Sequence, residues 1–267
     1  MRPPRLVATD LDGTLLRSDG SVSRYTVDVV RAVQAAGIEF VLATARPPRW
    51  LHELTDLVGD HGLAVCGNGA FVYDVRRREV VAERAIDPGV VIDIVGDLRR
   101  ALPGIAFAVE RRDGFGREPG YVPLHPTPPD VPVAPLEELL EPPPGKLLAR
   151  APHLDGVRFL EQVTRLVGDR AVVAFSGAGG LAEISGAGVT KAVVLAQWCT
   201  ERGIGADEVW AFGDMPNDLA MLAWAGTSFA VANAHPDVAA VTTHRCRGND
   251  EDGVATALAA MLGSLSR

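Results

Sequence analysis

The chain has 267 residues, of which 47% are hydrophobic and 22% are charged, and its formal net charge is −8. This composition is typical of a folded globular protein and excludes a disordered chain. The negative charge argues against nucleic acid and against an anionic membrane surface as partners, because both require a positive face. Cys66, Cys199 and Cys246 form no C-x-x-C pair, so neither a zinc site nor a disulfide framework is indicated. We therefore expect a cytoplasmic protein with no signal peptide and no membrane-spanning segment.

The first predicted element is a short buried strand over residues 6–8, which leads directly into two acidic residues. Asp10 and Asp12 are two residues apart, so their side chains would point the same way if the strand conformation continued. Gly13 would then let the chain turn away. Because open α/β sheets bind ligands at the carboxyl ends of their strands, this stretch is our first candidate site.

Two simpler interpretations compete for the same stretch. Asp-x-Asp-Gly also opens calcium loops, but the twelfth position counted from Asp10 should then be glutamate, and it is Ser21. A solvated Asp-Gly turn would explain Asp12 and Gly13 but not Asp10. The stretch alone therefore leaves a functional site and a solvated turn both open.

Helices and strands alternate in the first third of the chain. We predict a helix that begins after Ser23 and ends at Gly37, a strand over residues 38–43, a helix that begins at Pro47, and a strand over residues 63–66. Strands that alternate with helices in this way indicate a doubly wound, mostly parallel sheet, which is an α/β fold.

The periodicity changes in the middle of the chain. Residues 71–82 are predicted to form a hairpin, and the dense prolines of residues 119–144 predict a long loop. The remaining pattern there is a mixture of short strands and helices. We therefore predict an α/β core formed by residues 1–84 and 186–267, with residues 85–185 inserted as a small α+β domain.

Polar residues follow the predicted strands at several places where the chain enters a turn or a helix. They are Asp10 and Asp12, then Thr44, Lys191, and the group Asp214, Asn217 and Asp218. Parallel strands end at one edge of a sheet, so these side chains could converge there. Converging carboxylates repel one another unless a cation intervenes, and ligands that are all oxygen suit Mg²⁺.

Each of these residues also has a simpler explanation when it is considered singly. Lys191 could be a solvated surface lysine, and Thr44 could merely cap the following helix. Asp214 and Asp218 could be acidic residues in a first helical turn, where acids are favoured. The combination and its order therefore carry the functional interpretation.

In this order, the residues resemble the four motifs of the haloacid dehalogenase (HAD) superfamily of phosphatases. The matching residues are Asp10-Leu11-Asp12-Gly13-Thr14, Thr44, Lys191 and Gly213-Asp214-Met215-Pro216-Asn217-Asp218. Further residues look like the Cof-type branch, namely Cys66-Gly67-Asn68-Gly69-Ala70, Glu183-Ile184, Asn233-Ala234, and Asn249 with Glu251-Asp252-Gly253-Val254-Ala255. In that branch an α/β cap is inserted between the second and third motifs, which is where the predicted insertion falls. The resemblance implies a HAD-like Rossmannoid core with a cap that governs substrate specificity.

The resemblance also implies a function and a role for each residue. It implies a Mg²⁺-dependent hydrolase that acts on phosphomonoesters of small metabolites, notably sugar phosphates, through an aspartyl-phosphate intermediate. Asp10 would be the nucleophile, Asp12 the general acid and base, and Lys191 a third catalytic residue. The metal ligands would be Asp10, the backbone carbonyl of Asp12, Asp214 and Asp218. The substrate would contact Gly13, Thr44, Ala45, Arg46, Asn68 and Asn217.

Two departures from the family pattern and several alternative functions remain. Ala45 stands where the family usually has glycine, so it would be strained if that turn required a positive φ. Ala192 also stands where glycine is frequent in the family. A phosphomutase, or a phosphatase dedicated to one glycosyl phosphate such as mannosyl-3-phosphoglycerate, would use the same residues. A catalytically silent sugar-phosphate-binding protein belongs to a different class, and loss of the nucleophile would indicate it, yet Asp10 is present.

Overall fold

The computed structural model describes residues 2–55, 57–58, 62–176 and 179–265. The chain divides into two compact units, one formed by Met1–Val81 with Thr190–Arg267 and the other by Ala82–Val189. The predicted insertion, residues 85–185, lies inside the second unit, and its role in substrate specificity stays a prediction. None of the helices in the described part of the chain combines the length and the apolar character needed to cross a membrane.

The strands are numbered here in chain order. They are β1 (Leu6–Thr9), β2 (Glu39–Ala43), β3 (Leu63–Cys66), β4 (Phe71–Asp74), β5 (Glu79–Glu83), β6 (Ala106–Arg111), β7 (Gly114–Arg117), β8 (Lys146–Arg150), β9 (Ala171–Ala174), β10 (Leu181–Gly186), β11 (Val209–Gly213), β12 (Thr227–Ala230) and β13 (His244–Arg245). The helices are α1 (Arg24–Ala35), α2 (Pro88–Ala101), α3 (Gly156–Val167), α4 (Lys191–Glu201), α5 (Leu219–Trp224), α6 (Pro236–Val241) and α7 (Gly253–Leu265).

The first unit is built on a large sheet with the order β13-β12-β11-β1-β2-β3-β4-β5. Neighbouring strands from β13 to β3 run parallel, and β4 returns antiparallel to β3. The central strand β1 is buried along its whole length because Leu6, Val7 and Ala8 face apolar layers on both sides of the sheet. This confirms the predicted doubly wound α/β fold and places the end of β1 at the middle of the sheet.

Two helices illustrate how the sequence builds the layers around this sheet. The side chain of Ser23 caps α1 by accepting a hydrogen bond from the backbone N–H of Thr26. Val30 and Val33 lie on the buried apolar face of this helix. Thr190 caps α4 in the same way by accepting from the backbone N–H of Val193. The cap therefore determines that Lys191 is the first residue of α4.

The second unit contains a five-stranded sheet with the order β7-β6-β8-β10-β9, in which every pair is antiparallel. One face of this sheet packs against α2 and α3 through an apolar cluster that includes Phe107, Leu147 and Phe159. A buried ion pair joins Lys146 of β8 to Glu183 of β10, with an Nζ to Oε1 distance of 2.7 Å. This unit is therefore an α+β sandwich with its own core.

The structure differs from the predicted elements at several places. The helix predicted from Pro47 is only a short 3₁₀ turn, Pro48–Trp50, within the described residues. The predicted proline-rich loop contains one 3₁₀ turn, Leu136–Leu139. The glycine-containing strand β7, the short helix α6 and the two-residue strand β13 were not predicted, because elements this short carry little periodic signal.

Candidate functional site

Three buried carboxylates from two neighbouring strand ends form a cluster in the first unit. Asp10 follows β1, while Asp214 and Asp218 follow β11, and β1 pairs with β11 in parallel register from Leu6 and Val209 onward. One carboxylate oxygen of each residue lies within 4.8 Å of the others. The parallel pairing thus brings together residues that are about two hundred positions apart in sequence, as expected for strand ends in an open sheet.

Lys191 is the cation of this cluster. Its Nζ donates hydrogen bonds to Oδ1 of Asp10 at 2.6 Å and to Oδ1 of Asp218 at 2.7 Å. The residue is only 1% exposed, so the interpretation of Lys191 as a solvated surface lysine is wrong. Its position as the first residue of α4 brings the ammonium group to the strand ends.

Negative charge exceeds positive charge in the cluster, and the pKa values reflect this. Burial, with the nearby charges of Asp218 and Asp214, raises the pKa of Asp10 well above its ordinary value despite the attraction of Lys191. Burial and the charge of Asp218 raise the pKa of Asp214 to about 7. Burial alone would lower the pKa of Lys191, but the charges of Asp10 and Asp218 outweigh it and raise that pKa. One ammonium group does not balance three carboxylates, so the cluster favours a further cation.

The donor set shows which cation would fit. The ligand atoms offered by Asp10, Asp214 and Asp218 are all carboxylate oxygens. Hard divalent cations bind such oxygens, and a metal charge would relieve the repulsion that burial intensifies. The cluster can therefore hold a divalent metal.

The structure does not place the Asp12 side chain in this cluster. The strand ends at Thr9, and Leu11–Leu15 form an irregular turn in which Asp12 is extended and Gly13 has a φ of +75°. The expectation that Asp10 and Asp12 would point the same way from one strand is therefore wrong. Asp12 is exposed, and its carboxylate pairs with Arg46, with Nη2 to Oδ1 at 2.7 Å and Nε to Oδ2 at 2.8 Å.

The turn after β1 packs directly on Asp214. A Cβ atom at Gly13 would lie 2.4 Å from Oδ2 of Asp214, so only glycine fits at this position. Thr14 donates from Oγ1 to Oδ1 of the same carboxylate at 2.9 Å. Thr14 was predicted as part of the turn in the first motif, but its hydrogen bond to Asp214 was not predicted.

The loops after β2 and β3 are tied together around Thr44. The backbone N–H of Arg46 donates to Oγ1 of Thr44 at 3.0 Å, and the backbone N–H of Asn68 donates to the Thr44 carbonyl at 3.0 Å. The strain considered for Ala45 does not occur. Within the described residues, the non-glycine residues with a positive φ are Asn68, Arg78 and Asp252.

Asn68 and Asn217 contact each other across the site. Asn217 donates from Nδ2 to Oδ1 of Asn68 at 3.1 Å, and Asn68 itself adopts a left-handed φ of +58°. The Oδ1 of Asn217 is buried and accepts no hydrogen bond from the described part of the protein. A buried acceptor without a partner is costly, so this atom is a candidate to contact a bound molecule.

Two further asparagines support the site although no role was predicted for them. Asn233 donates from Nδ2 to the Gly13 carbonyl at 2.7 Å and accepts from the backbone N–H of Asn249 at 3.0 Å. Asn249 in turn donates from Nδ2 to the Leu16 carbonyl at 3.0 Å. These residues hold the turn after β1, and the signal that could have identified them is their place in the Cof-type pattern.

Comparison with known proteins identifies the class to which this fold and site belong. A family model described as haloacid dehalogenase-like hydrolase matches residues 7–258, and the chain belongs to that family. The predicted membership of the HAD superfamily is thereby confirmed.

Individual relatives are similar over nearly the whole chain. YxeH of Bacillus subtilis (strain 168), which carries a phosphatase name, is 29% identical over 95% of this chain and 97% of its own. The 5-amino-6-(5-phospho-D-ribitylamino)uracil phosphatase YitU of the same organism is 27% identical over 94% of this chain and 95% of its own. The solved structure of BT1666 from Bacteroides thetaiotaomicron, a HAD phosphatase, is 26% identical with a TM-score of 0.80, and the match covers 98% of this chain and 96% of that one. These relatives confirm the predicted enzyme class, a hydrolase of the HAD phosphatase type.

Proposed function

We propose that the chain is a Mg²⁺-dependent phosphatase that hydrolyses phosphomonoesters of small metabolites, notably sugar phosphates, through an aspartyl-phosphate intermediate. The observation that carries this proposal is the contact of Asp10 with Lys191 beside Asp214 and Asp218, at the end of the central strand. A buried nucleophile that is held by a cation suits attack on an anionic phosphoryl group.

In the first step, a carboxylate oxygen of Asp10 attacks the phosphorus atom, and the bond from phosphorus to the leaving oxygen breaks. Asp12 gives its proton to that oxygen, so the alcohol leaves in neutral form. In the second step, Asp12 takes a proton from a water molecule as the water oxygen attacks the phosphorus of the aspartyl phosphate, and the bond from phosphorus to the Asp10 oxygen breaks. Inorganic phosphate then leaves and Asp10 is regenerated.

The metal site follows from the same residues. The carboxylates of Asp10 and Asp214 and the backbone carbonyl of Asp12 would hold Mg²⁺, and Asp218 would complete or orient this set. When bound, Mg²⁺ would offset the negative charge of the carboxylates and of the phosphoryl group.

The phosphoryl oxygens would be held by Thr44 and Lys191, with Gly13, Ala45, Asn68 and Asn217 as further substrate contacts. Support for Thr44 comes from its hydrogen bonding, because its Oγ1 accepts from the Arg46 N–H and its hydroxyl hydrogen can therefore point to a ligand. The ammonium group of Lys191 already contacts Asp10, the residue to which the phosphoryl group would be transferred.

Small phosphorylated metabolites are the substrate class that the relatives support. YitU, for example, is named as a 5-amino-6-(5-phospho-D-ribitylamino)uracil phosphatase. We propose that Ala82–Val189 acts as the cap that selects the leaving group in this chain.

The test measures phosphate release from a panel of sugar phosphates and from p-nitrophenyl phosphate, with and without a chelator. Wild type should release phosphate only with Mg²⁺, and Asp10→Asn should be inactive. Asp28→Asn is the matched control, because Asp28 lies on α1 of the same unit and pairs with Arg24 at the surface. Turnover by Asp10→Asn, or full wild-type turnover in chelator, would refute the mechanism.

The same panel separates the alternative functions. A phosphomutase would convert a sugar phosphate to its isomer without releasing phosphate. A silent binding protein would be stabilised against thermal unfolding by a sugar phosphate and would leave it unchanged. A phosphatase dedicated to one glycosyl phosphate would release phosphate from that compound alone.

A further inference from the structure

Arg46 and Asp12 form a two-point ion pair at the edge of the carboxylate cluster. Nε of Arg46 donates to Oδ2 of Asp12 at 2.8 Å, and Nη2 donates to Oδ1 at 2.7 Å. Because both oxygens are engaged by a planar guanidinium, the pair determines the orientation of the carboxylate as well as its distance. A lysine at position 46 would keep the positive charge but could not reproduce this planar two-point contact with the carboxylate.

Arg46 is the less exposed member of the pair, and its backbone is held by two hydrogen bonds. Its backbone N–H donates to Oγ1 of Thr44 at 3.0 Å, and its carbonyl accepts from the backbone N–H of Gly67 at 2.9 Å. The side chain of Arg46 is 21% exposed, whereas that of Asp12 is 58% exposed. An exposed aspartate side chain otherwise samples several rotamers, so the guanidinium selects one of them.

We propose that Arg46 is a positioning residue for Asp12, and that it acts on the reaction by orienting the Asp12 carboxylate. This inference rests on the proposed function, in which Asp12 is the general acid and base. One carboxylate oxygen stays on the guanidinium. The other leaves its contact with Arg46, takes up a proton, and gives this proton to the leaving oxygen as the bond from phosphorus to that oxygen breaks. Arg46 thereby acquires a role that differs from the direct substrate contact expected from the sequence.

The leaving group distinguishes the two roles. A p-nitrophenolate ion leaves readily without a proton, whereas an alkoxide needs one. The value of kcat/KM reports the steps up to loss of the alcohol, so it isolates the step in which Asp12 acts as an acid. If Arg46 positions Asp12, Arg46→Lys should lower kcat/KM by roughly 10-fold for an alkyl phosphate and by much less for p-nitrophenyl phosphate.

A double-mutant cycle on the same alkyl phosphate supplies the second readout. Asp12→Asn should lower kcat/KM by roughly 10²-fold, and adding Arg46→Lys to it should cause no further loss. If the guanidinium instead holds the phosphoryl group, the two losses should multiply. Arg24→Lys is the matched control, because Nε of Arg24 contacts both carboxylate oxygens of Asp28 on the surface of α1.

Thermal unfolding of each variant verifies that the fold is intact. The positioning role would be overturned if Arg46→Lys lowered kcat/KM equally for the aryl and alkyl esters, or if the losses multiplied in the cycle. Phosphate release by wild type would still support the proposed function in that case. Absence of wild-type phosphate release from every ester with Mg²⁺ present would overturn both.

Discussion

The hydroxyl of Thr14 donates a hydrogen bond to Oδ1 of Asp214 at 2.9 Å and so links two loops whose residues lie 200 positions apart. Gly13 approaches the other oxygen of the same carboxylate so closely that a Cβ atom would lie 2.4 Å from it. The turn that carries Asp12 therefore also sets the position of Asp214. We expect changes in this turn to alter metal binding as well as the chemistry at Asp10.

Thr14→Val should test this link, because it removes the hydrogen bond and nearly preserves the shape of the side chain. We expect the free energy of unfolding to fall by about 1 kcal/mol and the Mg²⁺ concentration for half-maximal activity to rise. Urea unfolding and an Mg²⁺ titration measure the two quantities. Thr227→Val, on β12 of the same unit, is the control. An unchanged Mg²⁺ requirement would show that Asp214 keeps its position without Thr14.

The pKa of Asp214, which burial raises to about 7, predicts how metal binding depends on pH. Mg²⁺ binds the carboxylate and competes with its proton, so the apparent affinity should be about tenfold weaker at pH 6 than at pH 8. Isothermal titration calorimetry at the two pH values measures this difference. An affinity that is the same at pH 6 and pH 8 would contradict a titrating carboxylate at the site.

The same raised pKa predicts the pH dependence of stability in the presence of a chelator. An acid whose pKa in the folded protein exceeds its ordinary value, here 3.8, stabilises the fold where it is protonated. That stabilisation is complete below about pH 4 and is lost as the pH rises through 7. The melting temperature should therefore fall between pH 5 and pH 8, and Asp214→Asn should weaken this dependence.

Lys191→Met should be strongly destabilising, since it leaves three buried carboxylates without their cation. Removing one partner of a buried ion pair typically costs about 3–5 kcal/mol, which urea unfolding in chelator would detect. Mg²⁺ should restore more stability to this variant than to wild type, because the metal replaces part of the missing charge. Arg24→Met removes an exposed pair and should cost less than about 1 kcal/mol. Equal effects of the two substitutions would refute the proposed balance of charge.

Asn233→Ala should loosen the turn after β1, because Asn233 donates to the Gly13 carbonyl at 2.7 Å. We expect a loss of about 1 kcal/mol in the free energy of unfolding, together with a lower kcat. Asn249→Ala should act similarly, since its backbone contacts Asn233 and its side chain contacts Leu16. The double variant should lose less than the sum of the two, because the residues share one network. Strict additivity in a double-mutant cycle would contradict that network.

Local sequence signals were sufficient for the central strands and for the candidate site residues that follow them. The apolar runs of β1, β2 and β11 end at polar or glycine residues, and their burial makes such runs recognisable without any long-range information. The same signals failed after Pro47, where Leu51, Leu54 and Leu57 are buried but lie on irregular backbone and not on the predicted helix. Burial of leucine alone does not specify helical dihedral angles.

The residue types and their places at strand ends therefore followed from the order of amino acids, because apolar runs, caps and turn residues act over a few positions. The different positions of the two carboxylates in the opening stretch did not follow from that order. Asp10 meets Lys191, 181 positions later in the chain, while Asp12 meets Arg46, 34 positions later. The strand pairing of β1 stops at Thr9 and the chain enters a turn at Leu11, so the two side chains separate, and this cannot be derived from the spacing of Asp10 and Asp12.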